Sequence, residues 1–208
     1  SAAPGVQVIF TTPFTDIARV AAGTDHLLVC APHMDPIRRG RGTADILPEA
    51  VKAAGAKGVQ LNHAERPLPF AVLERTIRRA EEVGLFTMVC ASSLAEIRAV
   101  ALLEPDIIVA EPTELIGTGT TSDLAFVQAS LDAVRAINED ILVLQAAGIA
   151  TGGDVFRVMA AGPHGTGSSS GVATAADRVS MADEMVSSAR RGWDAGLEST
   201  QQVRKAGR

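Results

Sequence analysis

The sequence predicts an α/β fold built on parallel strands, and three observations carry that reading. Short runs of β-branched and other apolar residues recur between longer stretches of helical spacing, the pattern of parallel strands joined by crossover helices. The strand runs are continuously apolar rather than alternating, as expected where both faces of a sheet are covered. The succession of strand, loop and helix proceeds without a shift in composition, so a single domain is expected over residues 1–197, followed by a polar tail at 198–208.

Taken in order, the expected strands are residues 6–11, 26–30, 58–61, 86–90, 106–110 and 141–144, with a possible seventh near 165–170. The expected helices are 16–21, 47–54, 71–83, 94–103, 124–137, 153–160 and 176–189. The helix at 71–83 is the clearest: Val72, Ile77, Ala80 and Val83 form an apolar stripe. Glu74, Arg75, Arg78, Arg79, Glu81 and Glu82 read as its solvated face, and Gly84 stands where a left-handed cap ends a helix. Periodicity alone leaves two architectures open, a closed (β/α) barrel and an open doubly wound sheet.

Composition narrows the function classes. With 47% hydrophobic residues over 208 positions, the chain can bury a sizeable core. A net charge of −5, no block of Lys or Arg and only 3% aromatic residues do not fit a nucleic-acid binder. No apolar run approaches the roughly 20 residues needed to span a bilayer, and the start SAAPGVQVIF lacks a basic stretch followed by an apolar core; a cytoplasmic protein is expected. Cys30 and Cys90 each lie inside an apolar run and read as buried strand residues rather than a disulfide pair.

Four motifs carry chemistry. Leu61-Asn62-His63-Ala64-Glu65-Arg66 ends a strand with clustered polar side chains, and strand C-termini hold the active sites of parallel barrels. Glu111 directly follows four apolar strand residues, where a carboxylate is costly to bury unless it is paired or its proton affinity is put to use. Pro112 then stiffens the exit, and Gly117 and Gly119 bracket a small-residue hinge of the kind that carries a lid. The third and fourth motifs are Gln145–Asp154 and Gly167–Val172, glycine-rich turns leading into helices that can aim backbone N–H groups at a phosphate. The four histidines, His26, His33, His63 and His164, show no ligand spacing, so neither a metal nor another cofactor is expected.

The strings FTDI from Phe14, HMDP from His33, ILPEAVKAAGAKGVQLNHAER from Ile46, AEEVGLFTMVC from Ala80, EPTELIGTG from Glu111 and AAGIATGGDV from Ala146 resemble the compact archaeal-type triosephosphate isomerases. The likeness runs in order from about Gly5 to Val186, and EPxxLIGTG after an apolar strand is its most specific motif. The resemblance implies a (β/α)8 TIM barrel and an aldose–ketose isomerisation through an enediolate. It makes Glu111 the base that moves the proton and His63, as a neutral imidazole, the group that polarises the carbonyl. Ile116 and Gly117 would lie in the closing lid, while Gly148 and the turn Ser169, Ser170 and Gly171 would bind the phosphate. A homodimer or homotetramer is implied as well, because Gly40–Asp45 matches the loop this family inserts into a neighbouring subunit.

Against the family pattern, the chain opens at what matches the end of the first helix. The first β/α unit, whose strand bears an Asn-x-Lys motif, is therefore expected to be absent from this chain: either such a segment exists upstream of Ser1, or this homologue has opened its barrel and given up the usual activity. None of Lys52, Lys57 or Lys205 is placed to substitute for that lysine. Ala64 stands where the family has a serine, and the last strand has lost its apolar residues. Two other readings stay open beside the triose-phosphate isomerase: an isomerase of another small phosphorylated ketose, and a catalytically silent homologue that binds a phosphorylated ligand or a protein partner.

Overall fold

A computed structural model describes residues 5–206, with side chains described as far as residue 198. Its contacts divide the chain into two compact units. The first comprises Gln7–Ala91 and Ala99–Ile108; the second comprises Ser92–Arg98 and everything from Val109, together with residues 5–6.

In the first unit, strands β1 (Val8–Thr11), β2 (Leu27–Ala31), β3 (Gly58–Leu61) and β4 (Phe86–Ala91) lie side by side in chain order. All three ladders are parallel, with Val8 opposite Leu27, Cys30 opposite Gly58, and Gly58 opposite Phe86. The connections are α1 (Ile17–Ala22), preceded by a 3₁₀ turn at Phe14–Asp16, then α2 (Pro48–Ala53) and α3 (Phe70–Val83). The continuous apolar runs are covered on both faces: five of the six residues of β4 are buried. Val29, Cys30, Val59, Leu61 and Val89 are all at most 2% exposed. Each such aliphatic side chain contributes about 1.5–3 kcal/mol relative to leaving it in water.

The stripe on α3 is present, and Gly84 takes the left-handed conformation at its C-terminus (φ 72°, ψ 40°). One part of the expected charged face is not solvated. Arg79 is buried, its side chain only 6% exposed, and its guanidinium meets Glu49 at 2.7 Å, Glu82 at 3.0 Å and the Ile37 carbonyl at 3.0 Å. Burial of that charge is tolerable because its donors find acceptors on α2, on α3 itself and on the loop before α2. Arg78, one position away, is 72% exposed and pairs with Glu74.

Strand β5 (Ile107–Ala110) crosses from the first unit into the second and is buried at every position. In the second unit, β5 is followed in the sheet by β6 (Leu142–Gln145) and β7 (Gly165–Thr166), with Leu144 opposite Gly165 in a parallel ladder. Helix α4 (Leu94–Ala101) precedes β5, α5 (Leu124–Arg135) leads to β6 and α6 (Gly152–Ala160) leads to β7. Two more helices follow, the single turn α7 (Ser170–Ala173) and the long α8 (Arg178–Ala206).

Two expectations change here. The seventh strand is two residues long rather than reaching Ser170, because its glycine- and serine-rich continuation turns into α7. The last helix does not stop at Ala189. Its backbone continues to Ala206 through most of the segment expected as a tail, whereas Gly207 and Arg208 lie outside the described residues. The reason is packing on α6, where Ile149, Val155, Val158, Met159 and Met185 form a buried cluster edged by Met181, Ala189 and Trp193. Gly192 admits the close approach, since a Cβ there would stand 2.6 Å from the Phe156 carbonyl oxygen.

Candidate functional site

His63 leaves the end of β3 through a sharp change of direction. Leu61 is buried, Asn62 adopts φ +56°, and His63 emerges half-buried. Asn62 holds this turn from both ends of its amide: Nδ2 donates to the Cys90 carbonyl at 3.0 Å, and Oδ1 accepts from the Leu68 N–H at 2.9 Å. Asparagine is among the residues that tolerate this left-handed conformation, which explains its place between strand and histidine.

The imidazole has a defined orientation. Its Nδ1 accepts from the Glu65 N–H at 3.3 Å, and the His63 carbonyl accepts from the Arg66 N–H at 2.7 Å. A Glu65 carboxylate oxygen lies farther away, at 3.7 Å, on a side chain 90% exposed, where solvent screens the attraction. The amide contact is the shorter and the directional one. A ring nitrogen that accepts from an amide presents its lone pair, so in the neutral ring the proton resides on Nε2.

The other site residues expected from sequence lie in the second unit. Glu111 is half-buried at the first position after β5 and is followed by the buried Pro112. A 3₁₀ turn at Thr113–Leu115 begins the loop. The Thr118 N–H and Oγ1 both bond to the Leu115 carbonyl, at 3.2 and 2.9 Å. Ile116, Gly117 and the residues up to Thr120 are exposed, whereas Thr121 is half-buried and Ser122 buried. Gly117 and Gly119 sit at φ +74° and +71°, with nothing within 4 Å of where a Cβ would stand. The expected lid is thus an exposed arch between two buried anchors, Pro112 and Ser122.

The trailing end of that arch rests on the turn after β6. Gly148 has φ +68°, and a Cβ there would overlap the Thr120 carbonyl. The turn after β7 closes against the same place. Ser168 Oγ donates to the Ile149 carbonyl at 2.7 Å, and a Cβ on Gly171 would stand 2.8 Å from that oxygen and 3.0 Å from the Ala150 Cα. Ser169 precedes α7 as an exposed cap, while Ser170 and Gly171 are its first two residues. N–H groups in a first helical turn have no intrahelical acceptor and face outward. Gly148 therefore lies against the end of the arch, and the turn leading into α7 lies against Ile149 and Ala150, the residues that follow Gly148.

Thr151 and Asp154 belong to the third motif, though their capping role was not read from it, and Arg157 was not singled out from sequence. Thr151 caps α6 reciprocally with Asp154: Thr151 Oγ1 accepts from the Asp154 N–H at 3.2 Å, and Asp154 Oδ2 accepts from the Thr151 N–H at 3.0 Å. Burial pushes the Asp154 carboxyl up, but the Thr151 hydroxyl, the N–H groups of Ala150 and Thr151 and the Arg157 charge outweigh it. The net result lies below the ordinary carboxylate range. The spacing Thr-x-x-Asp was the available signal. Nothing comparable announced Arg157, whose Nη2 donates to Thr121 Oγ1 and, at 3.2 Å, to Asp154 Oδ1.

The lysines take other places. Lys52 Nζ donates to the Gly84 carbonyl at the end of α3, and Lys57 is exposed just before β3, at the strand end away from His63. The side chain of Lys205 lies outside the described residues. Cys30 and Cys90 are buried and form no disulfide, as the strand reading expected. Among the described residues, no three His, Cys, Asp or Glu side chains cluster to hold a metal ion, and no helix is long and apolar enough to cross a membrane.

Comparison with known proteins adds a consistent picture. The model of the triosephosphate isomerase family matches residues 1–172. The triosephosphate isomerase of Saccharolobus solfataricus is 37% identical over 189 residues, covering 89% of this chain and 82% of that protein. The enzyme of Methanosarcina acetivorans is 34% identical over 185 residues, covering 88% and 83%. That of Methanocaldococcus jannaschii is 37% identical over 174 residues, covering 82% and 79%.

Proposed function

From the premise that this chain belongs to the triosephosphate isomerase family of (β/α) barrels, we propose that Glu111 and His63 are the chemical pair of its reaction. That reaction interconverts dihydroxyacetone phosphate and D-glyceraldehyde 3-phosphate. The Glu111 carboxylate takes the proton from the hydroxyl-bearing carbon beside the carbonyl, and the electron pair left behind delocalises onto the carbonyl oxygen. His63 Nε2–H hydrogen-bonds that oxygen as negative charge builds, giving the enediolate; the proton of the neighbouring hydroxyl passes to that oxygen, and Glu111 returns the carbon-bound proton to the former carbonyl carbon. Phosphate is held by backbone N–H groups at Gly148 and at Ser169, Ser170 and Gly171. The arch carrying Ile116 and Gly117 closes over the intermediate and keeps water from it.

The single observation that carries the assignment of roles is the acceptor contact at His63 Nδ1. A proton fixed on Nε2 makes the ring a donor toward substrate, whereas a base at this position would need Nε2 free. Self-association belongs to the same reading. Arg38–Asp45 is exposed throughout, and its base is closed by the Asp35 N–H to the Ile46 carbonyl at 3.0 Å and the Ile46 N–H to Asp35 Oδ2 at 2.7 Å. A pinned, protruding loop of this kind suits insertion into a second subunit. The substrates place the reaction among the cytoplasmic triose phosphates of glycolysis and gluconeogenesis.

The test is a coupled assay of the purified chain in both directions, with Glu111→Gln and His63→Ala beside it. Each substitution is expected to lower kcat by about 10²–10⁴-fold while leaving the fold intact. Turnover equal to wild type in either variant overturns the role assigned to that residue. Turnover of another phosphorylated ketose in preference to dihydroxyacetone phosphate would favour the second substrate class.

A further inference from the structure

We propose that Arg157 is a positioning residue for the isomerisation, tying the trailing end of the arch between Pro112 and Ser122 to α6. The inference rests on the reaction assigned above, and it adds a residue that neither touches substrate nor belongs to the motifs noted in the sequence. Its basis is a chain of contacts within one unit of the fold. The arch is exposed from Ile116 to Thr120, half-buried at Thr121 and buried at Ser122. At that boundary Arg157 Nη2 donates to Thr121 Oγ1, and the same nitrogen reaches Asp154 Oδ1 at 3.2 Å. The other Asp154 oxygen accepts from the N–H groups of Ala150 and Thr151 at 3.3 and 3.0 Å and from the Thr151 hydroxyl at 2.8 Å. One guanidinium therefore fixes the end of the arch relative to the turn that carries Gly148.

The adjacent backbone has no slack of its own. Gly148 already lies against the Thr120 carbonyl so closely that a methyl group would not fit. Any drift of Thr121 away from α6 shifts Thr120, and with it both the hinge at Gly119 and the donor at Gly148. Arg157 is suited to this task because it is half exposed, with a side-chain exposure of 49%, so it gives a directional hold without a buried charge.

A loosened hinge has a specific chemical consequence. If the arch fails to cover the enediolate phosphate, the intermediate partitions toward elimination. The enediolate electron pair then forms the carbon–carbon double bond to the terminal carbon, and that carbon's bond to oxygen breaks as inorganic phosphate leaves. The remaining enol takes a proton from water on its terminal carbon, gives up its hydroxyl proton and becomes the 2-oxoaldehyde. A residue that serves only stability alters how much enzyme is folded, not the ratio of isomer to free phosphate.

The experiment has two arms on the full chain. In the first, hydrogen exchange without substrate follows the amides of Thr118 and Thr120 in wild type, Arg157→Ala, Thr121→Val, the double variant and Arg78→Ala as surface control. Arg157→Ala and Thr121→Val are expected to accelerate these amides alike, the double variant no further, and Arg78→Ala not at all. In the second, isomer and inorganic phosphate are measured from the same turnover. Arg157→Ala is expected to lower kcat/KM by about 10–100-fold and to raise phosphate released per isomer formed several-fold, with Arg157→Lys partly restoring both. Unchanged exchange at Thr118 and Thr120, additive effects in the double variant, or an unchanged product ratio overturns the proposal. Should Arg157→Ala unfold, Thr121→Val breaks the same contact from the loop side and decides the matter. A wild-type chain that forms no isomer overturns the assigned reaction, whereas the exchange arm still decides whether Arg157 anchors the arch.

Discussion

Replacing Gly148 with alanine is the sharpest probe of how the arch and the phosphate turn depend on each other. Two separate penalties act at this position. An L-residue held at φ +68° costs about 1–2 kcal/mol because its Cβ crowds the following carbonyl. The new methyl also overlaps the Thr120 carbonyl, and relieving an overlap by shifting backbone costs about 1–3 kcal/mol more. The sum is about 2–5 kcal/mol, a large part of the 5–15 kcal/mol that holds a typical domain together. Gly117→Ala isolates the first penalty, since Gly117 has φ +74° but open space around it. Urea unfolding of both variants, read as a change in midpoint at constant slope, separates the steric part from the conformational part. Gly148→Ala is expected to lose clearly more stability than Gly117→Ala and to raise KM for the phosphorylated substrate. Equal losses in the two variants would mean that Thr120 does not bear on Gly148, and the coupling between arch and turn would have to be abandoned.

Three further outcomes follow from the same structure. Burial, and then the Arg135 charge, hold His164 below its ordinary value of 6.5, so the folded state favours the neutral ring. Its contribution to stability is full above pH 6.5 and is lost as the pH falls below it, because the unfolded chain then binds the proton more readily. Denaturation at pH 7.5 and 5.5 is expected to show a loss in wild type that His164→Gln reduces, and an identical pH slope in both would refute it. Burial, reinforced by Cys90, pushes the Cys30 thiol up to about 12 despite the Thr11 hydrogen bond, so a thiol-directed reagent should label it only after denaturant is added. Rapid labelling of the native protein would contradict that. Arg79→Ala is expected to lower the urea midpoint well beyond Arg78→Ala, since only the former leaves the Glu49 carboxylate without its near partner; equal midpoints would show the buried network to be dispensable.

The fold was legible wherever one local signal sufficed. Continuous apolar runs marked the strands because both faces are covered, and β3 spans the residues expected for it. Helix α3 was legible from its stripe and its Gly84 stop. Long-range partners were not. Arg79 looks like its neighbour Arg78 in the sequence, and only the arrival of Glu49 and the Ile37 carbonyl distinguishes the two. The extent of α8 was hidden for a related reason. Gly192 and Gly196 weaken a helix in isolation, yet they are the positions at which α8 comes against the Phe156 and Ala160 carbonyls of α6. At the candidate site, the proposed motif residues could be singled out because their chemistry is intrinsic to the side chain, whereas Arg157 is tied to the arch through Thr121, 36 residues away.

The two proposed reactive groups share a local construction, although they belong to different units. In each, a buried apolar strand residue, Leu61 or Ala110, is followed within two positions by the reactive side chain in a half-buried state. Full burial would penalise the charged carboxylate and hide the imidazole donor; full exposure would surrender both to water. The sequence places each group at the boundary by different means. Asn62 turns the chain before His63, whereas Pro112, buried, fixes the exit immediately after Glu111. An insertion of one residue between Ala110 and Glu111 would carry the carboxylate to the place that Pro112 now holds buried. A deletion of Ala110 would draw it into the layer where Ile108 and Val109 are buried. Register at the strand end, more than the identity of the flanking apolar residues, is therefore what the site cannot give up.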